Sequence, residues 1–368
     1  MEAFLSACGT LFQSLAPPQF KIKHASTPFP PETKDEGPSD NPHSPSGGAV
    51  VHCPWCKDSF PADLNVPPKA AKKTTSPTAG EGVEGGTGVL QPDAAKVLMK
   101  LLYGARLARF DLLRAINHLA GYITKWTPDC DKRLHRIMCY VHTSLHYRMV
   151  GWVGDKPDQL KPHLFADADF AGCPDSQRST SGLHLAIRGP NSCFPIAGAS
   201  KRQTCVSHST PEAEIVAADF ALRTAGLPCL QHWEKLFERM VGLDFHEDNQ
   251  AMIRVCQTGR NPTMRHIGRT HRTSVAWMHE AFSASNINLV YEATHRQCAD
   301  IYTKGFHEPG KWYPVGLLVN VVDRHKLAHL LTIFTVHNFE KEQGDILANF
   351  AELKPEKKRT PHDIYEYT

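Results

Sequence analysis

The sequence predicts an α/β fold, a mixed sheet flanked by helices, and three observations carry that reading. Between residues 146 and 306, short apolar strand-like runs alternate with longer runs of helical periodicity. The early strand-like runs are joined by short Gly/Ser/Pro turns, which suits an antiparallel meander. The later ones are separated by helical stretches, which suits parallel pairing through crossovers.

Strands are expected near 146–153, 163–169, 183–188, 193–198, 243–248 and 287–292, and helices near 211–236, 249–258, 270–284 and 297–305. Ahead of them Ala95, Val97, Leu98, Leu101 and Leu102 recur at helical spacing, as do Leu112, Leu113, Ile116, Leu119 and Ile123. Thr127-Pro128-Asp129 has the composition of a helix start and feeds Leu134, Ile137, Met138 and Val141. Residues 93–150 are therefore a small helical region in front of the α/β domain, which spans 151–306. Residues 1–25 read as a short N-terminal segment. Residues 26–92 read as a disordered linker, because stretches such as Ser44-Pro45-Ser46-Gly47-Gly48 cannot bury enough surface to offset ordering entropy. Residues 307–368 read as a partly helical extension, with a helical stretch near 323–335 and a charged tail.

A net charge of +3 and a pI near 8.2 permit nucleic-acid binding without arguing for it. The 11 cysteines, an odd number, are scattered and read as reduced thiols, so the expected location is cytoplasmic or nuclear. No secretory signal is visible, and Val315–Val322 and Leu327–Val336 are too short to span a bilayer, so no membrane partner is expected. His52, Cys53 and Cys56 offer three soft or borderline ligands where zinc takes four, so no zinc is expected there unless a partner completes the set.

Four acids stand in telling places. Asp167 ends an apolar run after Leu164 and Phe165, with Asp169 two residues on along the same face. Glu214 opens a helix carrying a stripe of small residues, Ala217, Ala218 and Ala221, suited to close packing on a sheet. Asp248 ends a second strand-like run, and Asp300 lies at a helix start whose dipole tolerates its charge. Carboxylates converging in a cleft repel unless a hard cation neutralises them.

Several motifs then form an ordered series: Asp167-Ala168-Asp169-Phe170-Ala171-Gly172, Arg178-Ser179-Thr180-Ser181-Gly182, Ser200-Lys201-Arg202-Gln203-Thr204 and Thr210-Pro211-Glu212-Ala213-Glu214. It continues with Asp248-Asn249-Gln250-Ala251 and Gln297-Cys298-Ala299-Asp300-Ile301-Tyr302-Thr303-Lys304. The series resembles the ribonuclease H domain at the C-terminal end of copia-type LTR retrotransposon Pol polyproteins. Leu102-Tyr103-Gly104-Ala105-Arg106 through Asn117-His118-Leu119-Ala120 resembles the connection that precedes it there. The resemblance covers roughly 93–306.

It implies a ribonuclease H-like fold with a mixed five-stranded sheet flanked by helices. It also implies a catalytic, metal-holding tetrad of Asp167, Glu214, Asp248 and Asp300, with Glu214 preferred over Glu212 and Asp167 over Asp169. The implied cofactor is Mg²⁺, with Mn²⁺ as the alternative ion, and the implied substrate is an RNA/DNA hybrid cut in its RNA strand. Arg178, Ser179, Thr180, Lys201, Arg202 and Asn249 are the candidate substrate contacts, and Asp169 and His295 are candidate accessory groups. No two aspartates are adjacent anywhere, so the polymerase motif is missing. The expectation is a fragment that would work with the remainder of a reverse transcriptase. A non-catalytic or domesticated binding module on the same fold is the competing expectation.

Overall fold

The computed structural model describes residues 1–31, 86–173 and 176–327, with the backbone of 50–52 and 59–61. Most of the linker expected at 26–92, the Cys53/Cys56 pair and the tail beyond 327 lie outside the described residues. Residues 31–86 form a unit of their own, described only as an antiparallel pair of β1 (Val50–His52) and β2 (Ser59–Pro61).

The main unit, residues 1–30 and 87–368, begins with helices. These are α1 (Glu2–Leu15), α2 (Gln91–Ala108), α3 (Leu113–Ala120) and α4 (Pro128–Thr143). The predicted start of α4 is present: Thr127 Oγ1 accepts the Cys130 amide at 3.4 Å, with Pro128 in the first turn. Residues 1–25 do more than lead in. Leu5, Cys8 and Phe12, spaced by three and four, bury against the same core as α2 and α4. Arg109 is fully buried but fully paired, with Nε 2.9 Å from Asp111 Oδ1 and Nη2 2.7 Å from Asp111 Oδ2.

The strands and helices that follow are β3 (Tyr147–Met149), β4 (Trp152–Val153), β5 (Lys161–Asp169), β6 (Thr180–Gly189) and β7 (Ser192–Arg202), then α5 (Thr210–Ala221) and α6 (Leu227–Phe237). After them come β8 (Leu243–Glu247), α7 (Gln250–Thr258), α8 (Ile267–Thr270), α9 (Val275–Ser283), β9 (Ile287–Tyr291), α10 (Asp300–Thr303), α11 (Pro309–Leu318) and β10 (Val321–Asp323). The main sheet has the order β4-β7-β6-β5-β8-β9. β5, β6 and β7 form the antiparallel meander, and β8 and β9 add in parallel. Its five long strands are those of a ribonuclease H-like fold; β4, two residues long, extends the edge.

Alternation along β5 divides the protein into two cores. Leu164 and Ala166 pack with α5 residues such as Ile215 and Ala218, while Phe165 joins the core of α1–α4, Ile301 and Tyr302. The expected strand at 146–153 splits at Gly151: β3 pairs with β10, and β4 pairs with β7. A Cβ at Gly151 would lie 2.5 Å from the Phe194 ring, so any larger residue would force that ring to shift. The helix expected at 211–236 is interrupted by a π-type turn at Leu222–Gly226, just ahead of Pro228, which has no amide hydrogen to donate. The helical stretch expected near 323–335 lies mostly outside the described residues, where only Asp323, the last residue of β10, and 324–327 are described; α11 was not foreseen.

Candidate metal centre

The centre is assembled where the two central parallel strands end. Phe165 of β5 lies beside His246 of β8. Two residues further along the chain come Asp167, still in β5, and Asp248, just past the end of β8. Glu214 arrives from α5, whose Ala213, Ala217, Ala218 and Ala221 are fully buried and let the helix lie close to the sheet. One oxygen from each of Asp167, Glu214 and Asp248 lies within 4.8 Å of the other two.

Asp300, the fourth expected acid, stands beside this group and joins it through a lysine. Lys304 Nζ is 2.7 Å from Asp300 Oδ1 and 3.6 Å from Asp167 Oδ1. The short helix α10 is pinned over the end of β5 by two hydrogen bonds. Gln297 Nε2 donates to the Ala166 carbonyl at 2.9 Å, and Thr303 Oγ1 donates to Asp167 Oδ2. Gly182, paired with Asp167 in the sheet, leaves the room α10 needs: a Cβ there would lie 2.7 Å from Thr303 Cγ2 and 2.8 Å from the Ala299 carbonyl.

The electrostatics are those of crowded acids. Burial raises Asp167, against the opposing pull of Lys304 and Thr303. Burial, then the charges of Glu247 and Asp167, push Glu214 well above the carboxylate range. Asp300 is raised to about 7 by burial and then by Asp167. Burial would depress Lys304, yet Asp167 and Asp300 hold it above its ordinary value.

The other expected residues fall in distinct places. Glu212 is a structural anchor: its Oε1 is 3.1 Å from His266 Nε2 and 3.4 Å from His271 Nε2, which separates its role from that of Glu214. Asp169 is held by Arg114 Nη2 at 3.2 Å and by the Thr180 amide, tying β5 to α3 outside the carboxylate group. Ser179 and Thr180 are buried, and Ser179 Oγ accepts the Ala171 amide at 3.1 Å, so their side chains shape the turn. Lys201 and Arg202 are exposed at the end of β7, and Arg178 is half-buried. Asn249 caps α7, its Oδ1 accepting the Met252 amide at 2.9 Å. His295 is exposed on the turn Thr294–Arg296.

Lys304, Thr303, Arg114 and Glu247 were not singled out from the sequence. Lys304 had a signal, since it stands four residues after Asp300, at the end of a short helix. Glu247 had none: it is fully buried beneath Asp248, Oε1 accepts the Asn249 amide at 3.0 Å, and Oε2 has no hydrogen-bond partner.

The three-carboxylate group fits a hard divalent cation. Its donors are all oxygens, and Glu214 Oε2 is buried without a hydrogen-bond partner, an acceptor that a cation would satisfy. Asp167, Glu214 and Asp248 would hold the ion, with Asp300 beside them.

A ribonuclease H-like sheet carrying a carboxylate centre at the ends of its central parallel strands is the class these features define. No protein-family model matches the chain. The chain is 26% identical over 245 residues to the retrovirus-related Pol polyprotein from transposon RE2 of Arabidopsis thaliana, and 25% identical over 247 residues to that from transposon RE1. These matches cover 66% and 64% of this chain but 16% of each relative, so the chain spans a small part of their length. It is 29% identical over 125 residues to secreted RxLR effector protein 161 of Plasmopara viticola, a match covering 34% of this chain and 83% of that protein. Solved structures similar to it include LC11-RNase H1 isolated from compost, at 15% identity, 39% of this chain, 92% of that chain and a TM-score of 0.28. Another is the foamy viral protease-reverse transcriptase in complex with RNA/DNA hybrid, at 14% identity, 55% of this chain, 25% of that chain and a TM-score of 0.33. The chain is thus similar to transposon Pol polyproteins over about two thirds of its own length. Among the described residues no helix is long and apolar enough to cross a membrane.

Proposed function

We propose that this chain is a divalent-metal-dependent endonuclease that hydrolyses the RNA strand of RNA/DNA hybrids during retrotransposon reverse transcription. The observation that carries the reading is the meeting of Asp167, Glu214 and Asp248, from three separate elements, within 4.8 Å. Mg²⁺ or Mn²⁺, when bound, supplies the Lewis acidity that phosphodiester hydrolysis needs.

The chain's own residues then have separable tasks. Asp167, Glu214 and Asp248 would hold the cation, and the Thr303 hydroxyl, donating to Asp167 Oδ2, fixes the orientation of that carboxylate. Lys201 and Arg202, exposed at the end of β7, and half-buried Arg178 offer cations to the phosphate backbone. Asn249 would contact the strand from the first turn of α7. Selection for RNA requires contact with the 2′-hydroxyl, the group that separates it from DNA. Polymerisation would fall to another part of a reverse transcriptase.

A second reading, a non-catalytic ribonuclease H-like module that binds nucleic acid or a partner, has one observation in its favour. Lys304 already neutralises part of the acidic group. Incubation with RNA/DNA hybrid, single-stranded RNA and duplex RNA, each with Mg²⁺ and with EDTA, decides between them. The nuclease cuts only the hybrid, and only with Mg²⁺; binding of hybrid with no Mg²⁺-dependent cleavage leaves the module.

A further inference from the structure

The acidic group has two unlike halves. On one side Asp167, Glu214 and Asp248 bring oxygens within 4.8 Å of one another, and Glu214 Oε2 is a buried acceptor without a donor. On the other side Asp167 and Asp300 already share a cation, the Lys304 ammonium, at 3.6 and 2.7 Å. Asp167 belongs to both halves.

An Mg²⁺ ion sits about 2.0–2.1 Å from its oxygen ligands. A divalent ion shared by Asp167 and Asp300 would therefore need the space that Nζ now occupies, and the ammonium would repel it in any nearby position. Lys304 is also built to leave. It follows the last residue of a four-residue helix, its side chain is 38% exposed, and its ammonium is a hydrated point charge on a flexible stem.

We propose that Lys304 is a tethered counter-ion that withholds the Asp167–Asp300 half of the centre from a divalent ion while nucleic acid is absent. Free protein then takes one ion, at Asp167, Glu214 and Asp248. An incoming phosphate draws the ammonium off the two carboxylates and opens the second half. Lys304 is on this account a positioning residue that sets ion occupancy, and the proposal rests on the carboxylate group being a metal centre.

Mn²⁺ titration of the full chain without nucleic acid, read by calorimetry and by the loss of the free-ion resonance signal, tests it. Wild type binds one Mn²⁺ per chain. Lys304→Met binds two, or binds the first at least about tenfold more tightly, the minimum expected on removing a like charge a few ångströms from a divalent ion. Lys304→Gln, which keeps a donor to Asp300, serves the same purpose if the methionine variant does not fold. If both variants match wild type in number and affinity, or bind fewer ions, the counter-ion proposal is overturned while the metal centre stands. If neither wild type nor variants bind Mn²⁺, the metal centre itself is refuted and the proposal falls with it.

Discussion

Asp248→Asn removes one charge from a group of like charges while keeping the shape of the side chain, so it should stabilise the metal-free protein. The Asp248 carboxylate lies within 4.8 Å of oxygens of both Asp167 and Glu214. At that distance and an effective dielectric of about 20, a pair of unit charges repels by about 3.5 kcal/mol. Three features reduce the gain: Asp248 is half-exposed, burial raises the pKa of Asp167 and Glu214 and so weakens their charge, and Lys304 offsets some of the field. A net gain of about 1–2 kcal/mol remains, worth roughly 2–6 °C in Tm for a unit of this size. Urea and thermal melts in EDTA measure it directly. In excess Mg²⁺ the order should reverse, since only wild type gains the full stabilisation of a bound ion. A variant that melts below wild type in EDTA would refute the reasoning, because the three carboxylates would then not form a repulsive array.

The remaining predictions concern pH and the anchoring of the centre. Asp300 is raised from 3.8 to about 7, by burial and then by the charge of Asp167. Its stabilising contribution is therefore complete below 3.8 and is lost as pH rises through about 7. At about 1.4 kcal/mol per tenfold change in proton affinity this amounts to about 4 kcal/mol. Urea midpoints in EDTA should accordingly fall more steeply for wild type than for Asp300→Asn between pH 5 and 8; parallel curves would contradict it. Arg114→Met leaves Asp169 and the Thr303 carbonyl without their cationic partner and should cost about 3–5 kcal/mol in urea melts, with Arg114→Met/Asp169→Asn recovering a good part of it. Additive losses in the double variant would show that the pair is not coupled.

Much of the fold was legible because each signal was local. Alternation along 163–169, the Thr127 cap and the alanine stripe of α5 depend on neighbours a few residues away, and all three are present. What could not be read depends on partners far along the chain. Phe12 is buried only because α1 meets helices that begin some eighty residues later. Asp169 and Asp167 share one strand face, and in the structure Arg114, fifty-five residues before Asp169, holds the one while Thr303 and Lys304 hold the other. The same holds for Glu212 and Glu214, which His266 and His271 tell apart. Lys304 has only its four-residue spacing from Asp300 to mark it until α10 is seen lying across Gly182.

The most direct measurement is a side-by-side hybrid cleavage assay of wild type and Asp248→Asn in Mg²⁺, with both shown to be folded. Wild type should release RNA fragments ending in 5′-phosphate and 3′-hydroxyl, and the variant should release none. Equal cleavage by the two proteins would mean that the Asp167, Glu214 and Asp248 group is not where the chemistry happens.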